Sequence, residues 1–232
     1  MADRPILFSA PMVSALLDGR KTQTRRIAKF VVPDGDGWHI RNSGGGMIGC
    51  DDDAVIVNGP DYAPYAVGDR LWVKETWNVF AFSQDGEVAW PLPKIPSREQ
   101  FEEVKELAVR GDWQIIHRES DRAREFFADQ KWRVSIHMPR FASRLTLTVT
   151  DVRVERLQDI READAEAEGI YFDKIGYTAG HMGMKGCNQE WSATPGIAFT
   201  NLWRLINGAE SWAANPWVAA ISFTVEQRNI DQ

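Results

Sequence analysis

RPILFSAPMVSALLDGRKTQTRR, residues 4–26, holds an apolar run, a proline, helically spaced apolar residues and then a cationic stretch. Pro5–Phe8 reads as a short strand. Pro11 falls where the next helix would have its first turn, a position that tolerates proline because the missing N–H has no intrahelical acceptor there. Met12, Val13, Leu16 and Leu17 recur at helical spacing and are expected to face a core. Gly19 ends the helix. Arg20, Lys21, Thr24, Arg25 and Arg26 then emerge as the segment that leaves a capped helix.

Working outward, VGDRLWVKETW (67–77) gives a turn at Gly68 and Asp69 running into a strand with Leu71 and Val73 on one side. RLTLTVTDVRVERL (144–157) alternates through Leu145, Leu147 and Val149, then changes phase to Val152 and Val154, as a bulged strand or two adjoining strands would. DIREADAEAEGI (159–170) reads as a helix with an acidic start, Ala163 and Ala167 one turn apart and Gly169 as its stop. Near the end, a helix is expected over Phe199–Ile206, a turn at Asn207 and Gly208, and a last strand over Trp217–Val225. Between these lie a long Gly- and Asp-rich excursion and an irregular region with expected helices near Arg98–Arg110 and Ser120–Asp129. A glycine-rich loop from Tyr171 to Gly196 is a candidate lid. Strands mixed with helices make the class α+β; the pattern alone leaves barrel and sandwich both open.

A chain of 232 residues suits one large domain or two small ones, and 44% hydrophobic with 26% charged residues is enough for a sizeable core. The net charge of -6 argues against a protein that coats extended duplex nucleic acid, which needs a dense cationic footprint. The local run Arg20, Lys21, Arg25, Arg26 and Lys29 suits a few phosphates instead. Cys50 and Cys187 stand apart without a CxxC, and neither His137 nor His181 belongs to an HxH or HExxH spacing, so no disulfide framework, metal or other cofactor is expected. The start MADRPILFSAP lacks the pattern of a signal peptide, and no apolar stretch approaches membrane-spanning length. The expectation is a soluble cytoplasmic protein without a membrane partner.

GRKTQTRR at 19–26, GDRLWVKE at 68–75 and VTDVRVERLQDIREADAEAEGI at 149–170 occur in the order and character of the ASCH family. The chain resembles the longer members from phages and prophages through LFSAPMVSALLDGRKTQTRR, SIHMPRFASRLTLTVTDVRVERLQDI and SWAANPWV. The resemblance implies a PUA-like fold, a small β-barrel with flanking helices. It would form one domain over residues 1–232 with loop insertions at about 32–66, 81–131 and 171–196. It further implies a phage or prophage origin and a pocket for a nucleobase, a nucleoside or single-stranded nucleic acid. The chain is similar to small ASCH enzymes that remove the acyl group from N4-acetylcytidine, whose catalytic lysine and threonine lie in the first block and whose glutamate ends the later helix. Those positions are Lys21, Thr24 and Glu168 here, with Arg26 at the family's arginine; Asp164 and Glu166 are the other acids the alignment allows.

Amide hydrolysis needs a nucleophile, a group to take its proton and a donor for the leaving amine. Thr24 fits the first role, and Lys21 the second if burial or neighbouring cations depress its pKa. Arg20, Arg25 and Arg26 supply cations, and Glu168 orients Lys21 or protonates the leaving nitrogen. The same residues read equally as a salt bridge tying a loop to a helix, which would keep the lysine charged. Arg20, Arg25 and Arg26 fit phosphate contacts or a solvated cationic face. Trp72 and Trp77 suit base stacking, against a core role in a chain with ten tryptophans. Glu75 shares the face of Val73 and Leu71 and is a candidate pocket wall. Three functions follow: an amidohydrolase without a metal, acting on N4-acylated cytidine or a related base; a non-catalytic RNA or single-stranded DNA module that recognises a base; and a phage accessory protein working through protein contacts.

Overall fold

The computed structural model describes residues 1–35, 37–41, 46–82, 89–91, 94, 97–100, 113–120, 123, 125, 127, 129–180 and 191–232. In chain order the first half holds β1 (Asp3–Leu7), α1 (Ala10–Leu17), β2 (Gln23–Ile27), β3 (Val31–Asp34), β4 (Gly37–Arg41), β5 (Met47–Cys50), α2 (Asp52–Asn58), β6 (Arg70–Lys74), β7 (Trp77–Phe82) and β8 (Ala89–Pro91). There follow β9 (Trp113–His117), β10 (Thr146–Arg156), α3 (Glu162–Ala167), β11 (Tyr171–Asp173), β12 (Gly176–Thr178), α4 (Pro195–Asn207) and β13 (Trp217–Glu226). The fold is α+β, and none of the described sheets closes on itself. Among the described residues no helix is long and apolar enough to cross a membrane.

The chain divides into two compact units, Met1–Asp3 with Ala15–Arg70 and Leu147–Val225, and Arg4–Ser14 with Leu71–Thr146 and Glu226–Gln232. In the first unit β13 lies between β10 and β2. β13 runs antiparallel to β2 with Ile221 opposite Thr24 and Ala220 opposite Arg25. The phase change along β10 happens inside one continuous strand: Leu147 and Val149 are buried, Thr150 and Asp151 are both exposed, and Val152 and Val154 are buried again. The described residues of the excursion after residue 31 form short strands and helices. β3, β4 and β5 form an antiparallel meander, and the acidic run supplies a helix cap, with Asp51 accepting from Ala54 N at 2.8 Å ahead of α2. Val55 from that helix packs with Ala28, Val31, Val154 and Trp217.

α3 is shorter than the expected helix, beginning at Glu162, and its buried residue is Ala165. Beyond it the candidate lid begins as a hairpin, with Tyr171 opposite Thr178 in β11 and β12; residues 181–190 lie outside the described residues. α4 starts earlier than expected because Thr194 caps it, accepting from Ile197 N at 3.3 Å, with Pro195 in the first turn.

In the second unit β1 lies beside β6, and β7 is flanked by β8 and β9. Alternation along β6 buries Leu71 and Val73 as expected. Trp77 and Val79 pack with Met138 and Ala142, while Phe80 sits 4.4 Å from Phe127, centroid to centroid. The helix expected near Arg98–Arg110 lies largely outside the described residues, as does much of the one at Ser120–Asp129.

Candidate functional site

Backbone geometry places Lys21 before its side chain does. α1 ends at Leu17, Gly19 takes φ +70°, and Arg20 N and Lys21 N both donate to Ala15 O at 2.9 and 3.0 Å, so the chain folds back over the last turn of the helix. Thr22 N then donates to Ala167 O at 2.8 Å, and Thr22 O accepts from Phe223 N at 2.9 Å. The segment is thereby stitched to the end of α3 on one side and to β13 on the other. Lys21 and Glu168 face each other as an isolated antiparallel bridge.

The two side chains complete that bridge. Lys21 Nζ donates to Glu168 Oε2 at 2.7 Å and to the Glu168 carbonyl at 2.8 Å, with Lys21 only 1% and Glu168 4% exposed. Of the three acids the alignment allowed, Glu168 is the one brought to Lys21. Asp164 accepts instead from Arg153 Nη2 at 2.9 Å, and Glu166 is exposed. Burial pushes the Lys21 amine below the ordinary lysine range; Glu168 opposes the shift, and Arg26 and Arg25 add to it.

Gly169 packs the corner. Its φ of +101° is a conformation that residues with a Cβ avoid, and an added Cβ would sit 3.1 Å from Ala15 Cβ and 3.4 Å from Lys21 Cβ. Gly169→Ala is therefore expected to destabilise the fold by about 1–3 kcal/mol, from strain together with overpacking. A melting temperature equal to that of the wild type would show the corner to be loose.

Thr24 is buried at 2% exposure in β2. Pleating puts Gln23 and Arg25 on one face of that strand and Thr24 and Arg26 on the other. Among the described residues no hydrogen bond joins the Thr24 hydroxyl to Lys21 or Glu168. The structure thus unites the lysine and the glutamate and sets the threonine on the neighbouring strand without that link.

Within the cationic run Lys21 and Arg25 are turned inward, while Lys29 is exposed. Arg25 is 3% exposed and donates through Nη2 to Glu155 Oε1 at 2.6 Å and through Nη1 to Gln23 Oε1 at 2.6 Å and Glu168 Oε1 at 3.3 Å. Arg20 is tied to Asp18 at 2.7 Å and to Gly169 O at 3.0 Å, with its guanidinium 4.3 Å from the Tyr171 ring centroid. Arg26 is half-buried, and burial pulls its pKa down against the charges of Glu168 and Tyr65. Carboxylates inside the unit explain the inward turn, because a buried guanidinium needs partners for its donors.

Gln23 and Glu155 among those partners, and Arg153 holding the acids from behind, are not among the site residues expected from the sequence. A signal existed: Asp151, Arg153 and Glu155 alternate along β10 and so share a face. Arg153 meets Glu155 at 3.4 Å and Asp151 at 3.5 Å. Burial alone would raise the Asp164 carboxyl, yet Arg153, Arg25 and Gln23 together hold it below its usual value.

Trp72, Glu75 and Trp77 belong to the second unit. Glu75 is 1% exposed and receives a two-point grip from Arg144, Nε to Oε1 and Nη2 to Oε2, both at 2.9 Å. Nearby His117 shares a 2.8 Å hydrogen bond with the Ala142 carbonyl, and burial lowers its pKa against the pull of Glu75. Trp77 is fully buried. Trp72 is half-buried, with Lys74 Nζ 5.1 Å from its ring centroid. His137 is exposed; His181 and Cys187 lie outside the described residues. Among the described residues no three His, Cys, Asp or Glu side chains are grouped to hold a metal ion.

Comparison with family models, with curated proteins and with solved structures finds no match to this chain.

Proposed function

We propose that the chain is an ASCH-type protein whose Lys21–Glu168 pair serves a nucleobase or nucleoside pocket, acting as a metal-independent amidohydrolase on an N4-acylated cytidine or a related modified base. One observation carries the reading: the lysine and glutamate singled out by resemblance, 147 residues apart, meet in a buried hydrogen bond of 2.7 Å. A PUA-like frame is supported by the turn after α1 leading into β2, which pairs with β13, itself next to β10, with α3 following β10.

In this reaction the Thr24 hydroxyl attacks the acyl carbon and yields its proton to the Lys21 amine. Collapse of the tetrahedral species breaks the bond to N4, and the proton passes to the departing amine, with Glu168 orienting the lysine. Water then releases the acyl group from Thr24. The lowered pKa of Lys21 favours this role, because only the neutral amine accepts a proton.

Incubation of the protein with N4-acetylcytidine, followed by chromatography, is expected to yield cytidine and acetate. Lys21→Ala and Thr24→Ala should each cut turnover by about 10²–10⁴-fold. Turnover untouched by both substitutions would remove the assignment. The absence of a hydrogen bond between Thr24 and Lys21 favours a second reading, in which the pocket recognises a base in RNA or single-stranded DNA without hydrolysing it. Tight binding of the nucleoside with no product would select that reading.

A further inference from the structure

A guanidinium presents five N–H donors in a fixed fork, so one arginine can hold several carboxylates in a set geometry. The Arg25 side chain is 0% exposed and does so on two sides. Nη2 faces Glu155 Oε1 at 2.6 Å and Asp164 Oδ2 at 3.5 Å, and Nη1 faces Gln23 Oε1 at 2.6 Å and Glu168 Oε1 at 3.3 Å. Glu168 gives its other oxygen, Oε2, to Lys21. Its carboxylate is therefore held at both oxygens by two cations from one short block of sequence. Behind them Arg153 holds the second oxygens of Glu155 and Asp164 at 3.4 and 2.9 Å.

The last torsion of a glutamate is broad, and a carboxylate gripped at one oxygen turns readily about it. A two-point grip removes that freedom. A carboxylate shared with a second cation is also a weaker partner for an ammonium than one given wholly to it. Both effects bear on the working pair of the site.

We propose that Arg25 is the positioning residue of this site: its Nη1 fixes the plane of the Glu168 carboxylate so that Oε2 is presented to the Lys21 amine, while Glu155 and Asp164 hold Arg25 itself in place. The inference rests on reading Lys21 and Glu168 as the working pair. The charged groups acting on Lys21 are Glu168, Arg25 and Arg26, with Tyr65 acting on Arg26 and with Glu155, Asp164 and Arg153 behind Arg25. Removing Arg25 takes away a cation that disfavours the ammonium and releases the Glu168 oxygen it holds, so that more of the carboxylate is given to Lys21. Both changes raise the lysine pKa, so the pH at which the amine becomes neutral moves up.

Two measurements without substrate test this. In Arg25→Met/Glu155→Gln, which removes one charge of each sign, NMR titration of the Lys21 side chain, assigned against Lys21→Arg, should move to higher pH. An unchanged titration in the folded variant overturns the proposal. Arg25→Lys keeps the cation but not the fork, and its crystal structure should show the Glu168 carboxylate turned from its present plane. A carboxylate in the same place overturns the proposal whether or not the double variant folds. If N4-acetylcytidine is turned over, the acid limb of its pH profile should rise with the lysine titration in the double variant. Absence of turnover with the titration moved as expected would remove the proposed activity and leave the positioning role of Arg25 standing.

Discussion

Truncating Trp77 to alanine is expected to cost about 3–5 kcal/mol, among the largest effects of any single substitution in the chain. The side chain is 0% exposed, and it packs with Val79, Met138, Ala142, Ile115 and Phe141. Its backbone is fixed from both sides, opposite His117 in β9 and bridged to Arg133, with N–H to O distances of 3.3 and 2.9 Å. Little can collapse into the space an indole leaves, so the loss includes a cavity as well as apolar transfer. Trp77→Phe should behave differently. The indole Nε1 is buried and finds no hydrogen-bond partner among the described residues, so phenylalanine loses volume but also removes an unsatisfied N–H, and about 1 kcal/mol or less separates it from the wild type. Urea denaturation followed by circular dichroism measures both. An alanine variant nearly as stable as the wild type would take Trp77 out of the core and return it to the surface role of stacking on a base.

Trp77 also illustrates what sequence can reveal here. Alternation along GDRLWVKE identifies which residues face inward, and Leu71, Val73 and Glu75 are indeed all buried. Gly19 and the proline after Ala10 mark α1 because each acts through local backbone geometry. Local signals fail where the partner is distant. The meander of β3, β4 and β5 has strands of four or five residues set among glycines, too short for a period to stand out, and Asp51 looked like one more acid rather than a cap. Arg25 is the sharpest case. Its neighbours in sequence are cations, which suggests an open basic patch, whereas its partners Glu155 and Glu168 lie 130 and 143 residues away. Only the fold brings those acids to it. Resemblance, rather than pattern, singled out Lys21 with Glu168, and of the three acids it is Glu168 that the end of α3 turns toward the lysine.

Replacing Lys21 by methionine should be as costly as the tryptophan truncation, about 3–5 kcal/mol at neutral pH, because it takes from the buried Glu168 carboxylate its 2.7 Å partner and leaves it with Arg25 at 3.3 Å and the charge of Arg26. Lys21→Met/Glu168→Gln removes the orphaned charge with its partner and is expected to recover most of the loss in urea denaturation. The pH dependence of the single variant tells two kinds of lysine apart. Burial holds the folded amine below the 10.5 of an ordinary lysine, so between its folded pKa and 10.5 the unfolded chain binds a proton that the folded chain has released. Stability then rises with pH in that window, and the cost of enclosing the charge, fully present below the folded pKa, fades as 10.5 is approached. Methionine has no such dependence. The stability gap between the wild type and Lys21→Met should therefore widen as the solution is made alkaline. A lysine raised by its salt bridge would do the reverse, since the pairing would be lost on deprotonation and the gap would narrow. A narrowing gap would leave Lys21 a charged tie between a loop and a helix, unable to serve as a base near neutrality, and the hydrolytic reading of the site would fall with it.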